Sequence, residues 1–367
     1  MKNQQSESPD LILLFIVFTL LAVGLMMVLS ASSVSSYNLF GDAHRLFRSQ
    51  LMWTAAGAAV MLFFMKLDYH YFLQLGRPVL LGSILLLIVV LLPGIGWISG
   101  GARRWLVLGP IRLQPSEIAK LALIIYTAGF LYRKQEKTKN FVRGVLPPVL
   151  VFGLIFLLII MQPDLGTGVT MAGSFVILLF AAGIKFKHLF LLILSGAGIF
   201  VYFVFSEGYR YRRLMAFLDP WSDRLDSGYH VIQSLIALGT GGLTGVGLGG
   251  SRQKFLYLPE PGTDFIYAIL GEELGFIGAF SVLILYLLLA WRGYRIALRA
   301  GDRFGALLAV GLTSMIILQA VINVGVVTSS LPITGITLPF ISYGGTSMVI
   351  MMAGVGILLN ISKNQIN

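Results

Sequence analysis

Leu11 to Ser30 reads LILLFIVFTLLAVGLMMVLS, a run without a single charged residue. At 1.5 Å per residue such a run spans the roughly 30 Å hydrocarbon core of a bilayer as one helix. It exceeds the ~7–15 apolar residues of a secretion signal, so a retained first span is expected, although the following SASSVSS resembles a cleavage site. Similar runs recur near 11–31, 47–65, 78–96, 114–132, 145–161, 166–184, 187–205, 265–290, 304–328 and 340–360. The expected fold is therefore an all-α polytopic membrane protein of about ten transmembrane helices, both termini on one side, in a single membrane domain of residues 1–367.

Composition agrees. Of 367 residues, 57% are hydrophobic and 12% charged, with mean hydropathy +0.85, whereas a soluble domain carries about one quarter charged residues. There is no cysteine, which excludes disulfides and thiolate chemistry. The four histidines are scattered, without an H-E-x-x-H pair, so no metal site is expected. The net charge of +11 collects in YRKQEKTKNFVR (132–143), KFK (185–187) and WRGYRIALRAGDR (291–303). Basic residues mark cytoplasmic loops, which places both termini in the cytoplasm and argues against a nucleic-acid partner.

The same topology puts the longest polar stretch, 206–263, outside, between spans seven and eight. It carries Arg210, Arg212, Arg213, Arg224, Arg252 and Lys254. Within it, SGYHVIQSLIAL predicts a helix with Ser227 as N-cap. The run LGTGGLTGVGLGGSRQK (238–254) matches neither a P-loop nor a dinucleotide fingerprint. Its glycines suit either close helix packing or an anion nest; with Arg252 and Lys254 following, pyrophosphate binding is the favoured reading.

Next comes YLPEPGTDFIYAILGEELGF (257–276). Its prolines forbid a helix before Gly262, Thr263 suits an N-cap, and Asp264 falls in a first helical turn. A first-turn Asp serves the helix dipole in the ordinary case. Here it stands at the outer boundary beside a basic loop, and Glu272 follows two turns later on a similar face. Glu272 or Glu273 pairing with a buried cation is an equal alternative to a role in chemistry. QPSEIAK (114–120) sets Glu117 three residues before Lys120, an ion-pair spacing. QPDLGTG (162–168) sets Asp164 in a short turn, and Arg103 and Arg104 lie on the same outer side. One outward-facing polar cavity would unite these groups. Carboxylates beside cations suit general-base activation of a hydroxyl with a phosphate leaving group held by arginine; they would equally suit a lipid carrier or flippase.

At these same motifs the chain resembles the SEDS family, the shape, elongation, division and sporulation proteins. QPSE, QPDLGTG, SRQKFLYLPEPGTDFIYAILGEELGF and LPFISYGGTSM (338–348) stand in the family's order over nearly the full length. RQKFLYLPEP is most similar to the FtsW and stage V sporulation protein E branch. The resemblance implies a multi-pass enzyme that polymerises lipid II into β-1,4 glycan at the outer face of the cell membrane, with a class B penicillin-binding protein transpeptidase and other division or sporulation membrane proteins as partners. It implies that Asp264 is the catalytic residue and that Glu117, Lys120 and Asp164 line the cavity. Arg252, Lys254, Arg104, Arg210 and Lys120 are the expected pyrophosphate ligands, and Glu272 and Glu273 line or brace the cavity. No cofactor follows from the resemblance, and a divalent cation accompanying the pyrophosphate stays open. A lipid II flippase is the alternative, and a scaffold recruiting the transpeptidase is a third.

Overall fold

The computed structural model describes residues 8–364 except 100, 110, 138–139, 207 and 225–226. The chain is mostly helical. Helices α1 (Leu11–Phe40), α2 (Arg45–Lys66) and α3 (Tyr71–Leu91) come first. A three-stranded sheet follows, β1 (Gly96–Ser99), β2 (Ala102–Leu108) and β3 (Ile111–Leu113), antiparallel in the order β1-β2-β3. Then come α4 (Pro115–Arg133), α5 (Leu146–Ile160), entered through a π-helical turn at Phe141–Val145, α6 (Leu165–Ala181) and α7 (Phe186–Ser206). Two shorter helices, α8 (Gly208–Leu218) and α9 (Ser227–Gly241), come next, and the chain closes with α10 (Ile266–Arg299), α11 (Arg303–Val327) and α12 (Gly345–Lys363).

Seven of these helical segments are long and apolar enough to cross a membrane. Among them α11 and α12 are enclosed over 72% and 78% of their most apolar stretch, against 11% for α7. The first two form the centre of the bundle, and α7 lies at its edge. Phe15, Leu81 and Leu287 are more than 60% exposed. Large apolar side chains on a bundle's outside face hydrocarbon when the solvent is lipid. Inside, close approach depends on small residues: a Cβ added to Gly356 of α12 would lie 2.4 Å from the Met61 carbonyl oxygen of α2.

Polar ties fasten the bundle at the end away from the sheet. Asp10 caps α1 through the Leu13 amide at 2.9 Å and accepts from Arg292 Nε at 3.0 Å. Asp302 caps α11 and accepts from the Tyr69 hydroxyl. At the other end, the β-sheet is absent from the sequence-based reading, which ran the third span on to residue 96. The chain instead leaves the helix after Leu91. In the antiparallel register that follows, Trp97 pairs with Trp105 and Val107 with Arg112. Ala102 and Leu106 are buried while Trp97 and Val107 are exposed, the alternation of a half-buried strand.

The long polar stretch after α7 is also ordered differently from a loop. Its predicted helix is α9, tied to the end of α11 by Ser234, whose hydroxyl donates to the Val327 carbonyl at 2.7 Å. The Ser227 side chain, the expected cap, lies outside the described residues.

Candidate active site

Two irregular segments meet where α10 begins and α11 ends. One is Pro259–Phe265, the other Leu331–Gly344. The Tyr343 amide donates to the Gly262 carbonyl at 2.9 Å, and the Ser342 hydroxyl to the Thr263 carbonyl at 2.6 Å. Gln50 of α2 holds the second segment from the far side, donating to the Ser342 carbonyl at 3.2 Å and accepting from the Gly344 amide at 3.1 Å. Asp264 belongs to the first segment, ahead of α10, with Gly335 of the second beside its carboxylate. The helix starts at Ile266 without a side-chain cap; Thr263 instead donates to Glu260 Oε2 at 2.8 Å. Glu260 takes a left-handed φ of 52° and its carbonyl receives the Thr263 and Phe265 amides, so it shapes the turn that presents Asp264.

The Asp264 side chain is partly buried. Burial pushes its carboxyl up to about 7, Glu260 adds to the rise, Arg104 and Arg213 oppose it, and Asp164 adds slightly. The four charged groups that act on Asp264 come from the turn itself, β2, α8 and the start of α6. A carboxyl poised near neutrality beside arginines is suited to accept a proton and remain close to an anion.

Arg104 and Asp164 both act on the Asp264 carboxyl, and Arg104 is anchored on the two residues that precede Asp164. Arg104 donates from Nε to the Gln162 carbonyl at 3.0 Å and from Nη2 to the Pro163 carbonyl. Asp164 caps α6, accepting from the Thr167 amide at 3.2 Å and hydroxyl at 2.9 Å, and receives Gln114 Nε2 at 3.4 Å. Deeper, Lys120 and Glu117 pair at 2.9 Å with the lysine 2% exposed. Lys120 also donates to Gln319 Oε1 at 2.6 Å, and Gln319 donates on to the Thr337 carbonyl at 3.0 Å. The Lys120–Glu117 pair is thereby joined to the segment flanking Asp264.

The glycine run has a different geometry from an open loop. Helix α10 breaks at Gly275, whose φ of 67° and ψ of −170° interrupt the helical ladder. The run pairs with that break: the Val246 and Gly247 amides donate to the Glu272 and Glu273 carbonyls, both at 3.0 Å, and the Phe276 and Ile277 amides donate to the Gly242 and Leu243 carbonyls at 2.8 and 3.1 Å. Only glycine allows this approach, since a Cβ on Gly245 would sit 2.1 Å from the Glu273 carbonyl oxygen.

The Glu272 carboxylate accepts from the Ser251 hydroxyl and from the Arg252 and Gln253 amides at 3.0 and 3.4 Å. Glu273, fully buried, pairs with Lys254 at 3.0 Å and accepts from the Ser30 hydroxyl at 2.6 Å. Lys254 is 4% exposed and also donates to Ser30 and to the Gly249 carbonyl. Within the run read from sequence as a possible anion nest, the Val246 and Gly247 amides thus bind backbone carbonyls, and the Arg252 and Gln253 amides at its end hold the protein's own carboxylate. Of the two basic residues that follow the run, Arg252 is exposed and Lys254 is enclosed. Arg210 belongs to α8, with its side chain outside the described residues. Among the described residues no group of three or more His, Cys, Asp or Glu side chains could hold a metal ion.

Residues 11–367 match the family of cell cycle proteins comprising FtsW, RodA and stage V sporulation protein E. The chain belongs to this family. It is 48% identical over 359 residues to stage V sporulation protein E of Bacillus subtilis, covering 98% of each chain. It is 42% identical to a probable peptidoglycan glycosyltransferase FtsW of Geobacter metallireducens, over 98% of this chain and 96% of the relative. Among solved structures it superimposes on a chain of a peptidoglycan synthase complex described as coordinating polymerization and crosslinking, with TM-score 0.79 and 28% identity over 96% of this chain and 97% of that one. The Thermus thermophilus rod shape determining protein RodA matches with TM-score 0.72 and 27% identity over 98% of both chains. The protein is a multi-pass membrane protein with the fold of these SEDS relatives.

Three residues of this SEDS site were not singled out from sequence. Gln319 and Asn323, in ILQAVINVGV, are two amide side chains one turn apart in an apolar span, spacing that puts both on one face. Arg213 was one of several outer-loop arginines with nothing to rank it above Arg210 or Arg224. Its charge acts on Asp264 from α8.

Proposed function

We propose that this protein is a peptidoglycan glycosyltransferase that polymerises lipid II at the outer face of the cytoplasmic membrane. The observation that carries the reading is Asp264: a carboxyl held near neutrality by burial, on the first of two bonded loop segments, with Arg104 and Arg213 close enough to act on it. The relatives named peptidoglycan glycosyltransferase support the same activity.

In the reaction, the acceptor sugar's 4-hydroxyl gives its proton to Asp264. Its oxygen attacks the donor's anomeric carbon from the face opposite the pyrophosphate. The carbon–oxygen bond to undecaprenyl pyrophosphate breaks and the electron pair leaves with the phosphate. A single displacement inverts an α-linked donor to a β-1,4 product. Arg104 and Arg252 are the cations we assign to the departing pyrophosphate. The enclosed Lys254 braces the broken helix, and Lys120, tied to Glu117 and Gln319, acts on the site through Thr337. A base of this kind contributes about 10²–10⁴-fold.

The topology we propose has ten spans with cytoplasmic termini, and 206–263 as an extracytoplasmic segment carrying part of the site within one membrane domain of residues 1–367. The positions of the basic loops support it. A class B penicillin-binding protein is the proposed partner, supported by the likeness to a synthase complex that both polymerises and crosslinks. The purified protein with its cognate transpeptidase should convert lipid II into glycan strands, and should still do so when the transpeptidase is blocked by a β-lactam. Intact lipid II after prolonged incubation would overturn the reading.

A further inference from the structure

Asn323 stands on α11 and is 1% exposed. Its Nδ2 donates both hydrogens, one to the backbone carbonyl of Asp264 at 2.8 Å and one to that of Ile336 at 2.6 Å. These carbonyls belong to the two different segments that enclose the candidate base. Its Oδ1 is buried without a hydrogen-bond partner. The reverse orientation of the amide would turn that oxygen onto two carbonyl oxygens, so the two acceptors fix which way the group points.

The second segment abuts the carboxylate itself. At Gly335, with φ of 69°, an added Cβ would lie 3.4 Å from Asp264 Oδ2. Holding Ile336 and Asp264 to one amide therefore sets the distance between the carboxylate and the backbone beside it. One turn earlier on the same helix face, Gln319 ties Thr337 to Lys120. Helix α11 thus presents two amide side chains that carry the 336–337 backbone and the Asp264 turn on one rigid support. Catalytic groups need such support, because misplacement by about 1 Å costs on the order of 10²-fold in rate.

We propose that Asn323 is a positioning residue for Asp264, acting through the backbone of the two segments and never touching substrate. The proposal rests on the assignment of Asp264 as the base. No other side chain of α11 reaches the Asp264 carbonyl among the described hydrogen bonds, so its loss removes the tie between that carbonyl and α11 while the Ser342 and Tyr343 bonds to Thr263 and Gly262 remain.

The test uses the full-length protein in complex with its cognate transpeptidase, with lipid II polymerisation followed over substrate concentration and pH. Asn323→Leu keeps the number of side-chain heavy atoms and the branching and removes both donors. Its expected kcat is about 10- to 100-fold lower, with KM for lipid II within about threefold of wild type. The acidic limb of its pH profile should move, because the surroundings of the carboxyl change. Adding Asp264→Asn to it should lower the rate no further than Asp264→Asn alone. Asn323→Ser retains one donor and should fall between; it decides the question if the leucine variant does not give a monodisperse complex. An unchanged kcat, or a loss that is fully additive with Asp264→Asn and leaves the pH profile in place, overturns the proposal. If Asp264→Asn is inactive while Asn323→Leu is normal, only the positioning role fails. If Asp264→Asn polymerises normally, the base assignment itself fails.

Discussion

The Glu272 carboxylate holds the backbone amide of Arg252 at 3.0 Å. With the Ser251 hydroxyl and the Gln253 amide it turns the end of the glycine run into a socket for an internal anion. Removing that anion leaves buried donors without partners, each costing about 1–3 kcal/mol. Glu272→Ala is expected to destabilise the protein by about 2–4 kcal/mol, seen as a lower melting temperature in detergent and faster proteolysis within 242–255. A variant as stable as wild type would mean that the socket is not what holds the run.

Lys254 and Glu273 pair at 3.0 Å with almost no exposure. Breaking a buried pair from one side strands a charge and costs about 3–5 kcal/mol, whereas replacing both partners costs far less. Lys254→Met should therefore be strongly destabilised and Lys254→Met with Glu273→Gln should recover most of the loss. If Lys254 instead contacts pyrophosphate directly, the double variant would regain stability and still show a raised KM for lipid II.

The carboxyl of Asp264 titrates near 7 in the fold against about 3.9 in an unfolded chain. The folded state therefore holds its proton more tightly, and the stability that the protonated form confers is present below about pH 4 and lost as pH rises through about 7. A general base works deprotonated, so activity runs the other way, increasing through the same range and levelling above it. Asp264→Asn, which removes the charge, should melt higher than wild type at pH 8 and close to it at pH 4. Melting curves at the two pH values check this directly; a variant less stable at pH 8 would contradict it.

Much of this was legible before the structure. Long uncharged runs can only be helices in lipid, so α11 and α12 are close to the expected spans, and α1 is found but runs on to Phe40, beyond the expected end at 31. Asp264, Glu117, Lys120 and Asp164 stand out because charge is scarce around them. The sheet was hidden because Ile95–Ser99 reads as the tail of an apolar span, and the strands are only three to seven residues long. The break at Gly275 was hidden because a glycine in an apolar helix reads equally as packing or as a break, and the partner that stabilises it lies thirty residues upstream. Sequence alone did not show which groups Glu272 holds, for the same reason: its partners depend on where the glycine run folds, not on its own neighbours in sequence. Asn323 carried a weaker sign, an uncharged amide in a span, with its counterpart Gln319 one turn away.

The central claim is that Asp264 takes the proton in glycosyl transfer. Asp264→Asn preserves shape and cannot accept that proton. Purified with its cognate transpeptidase and given lipid II, it is expected to make glycan strands about 10²–10⁴-fold more slowly than wild type while still forming the complex. Strand synthesis at the wild-type rate would contradict the account.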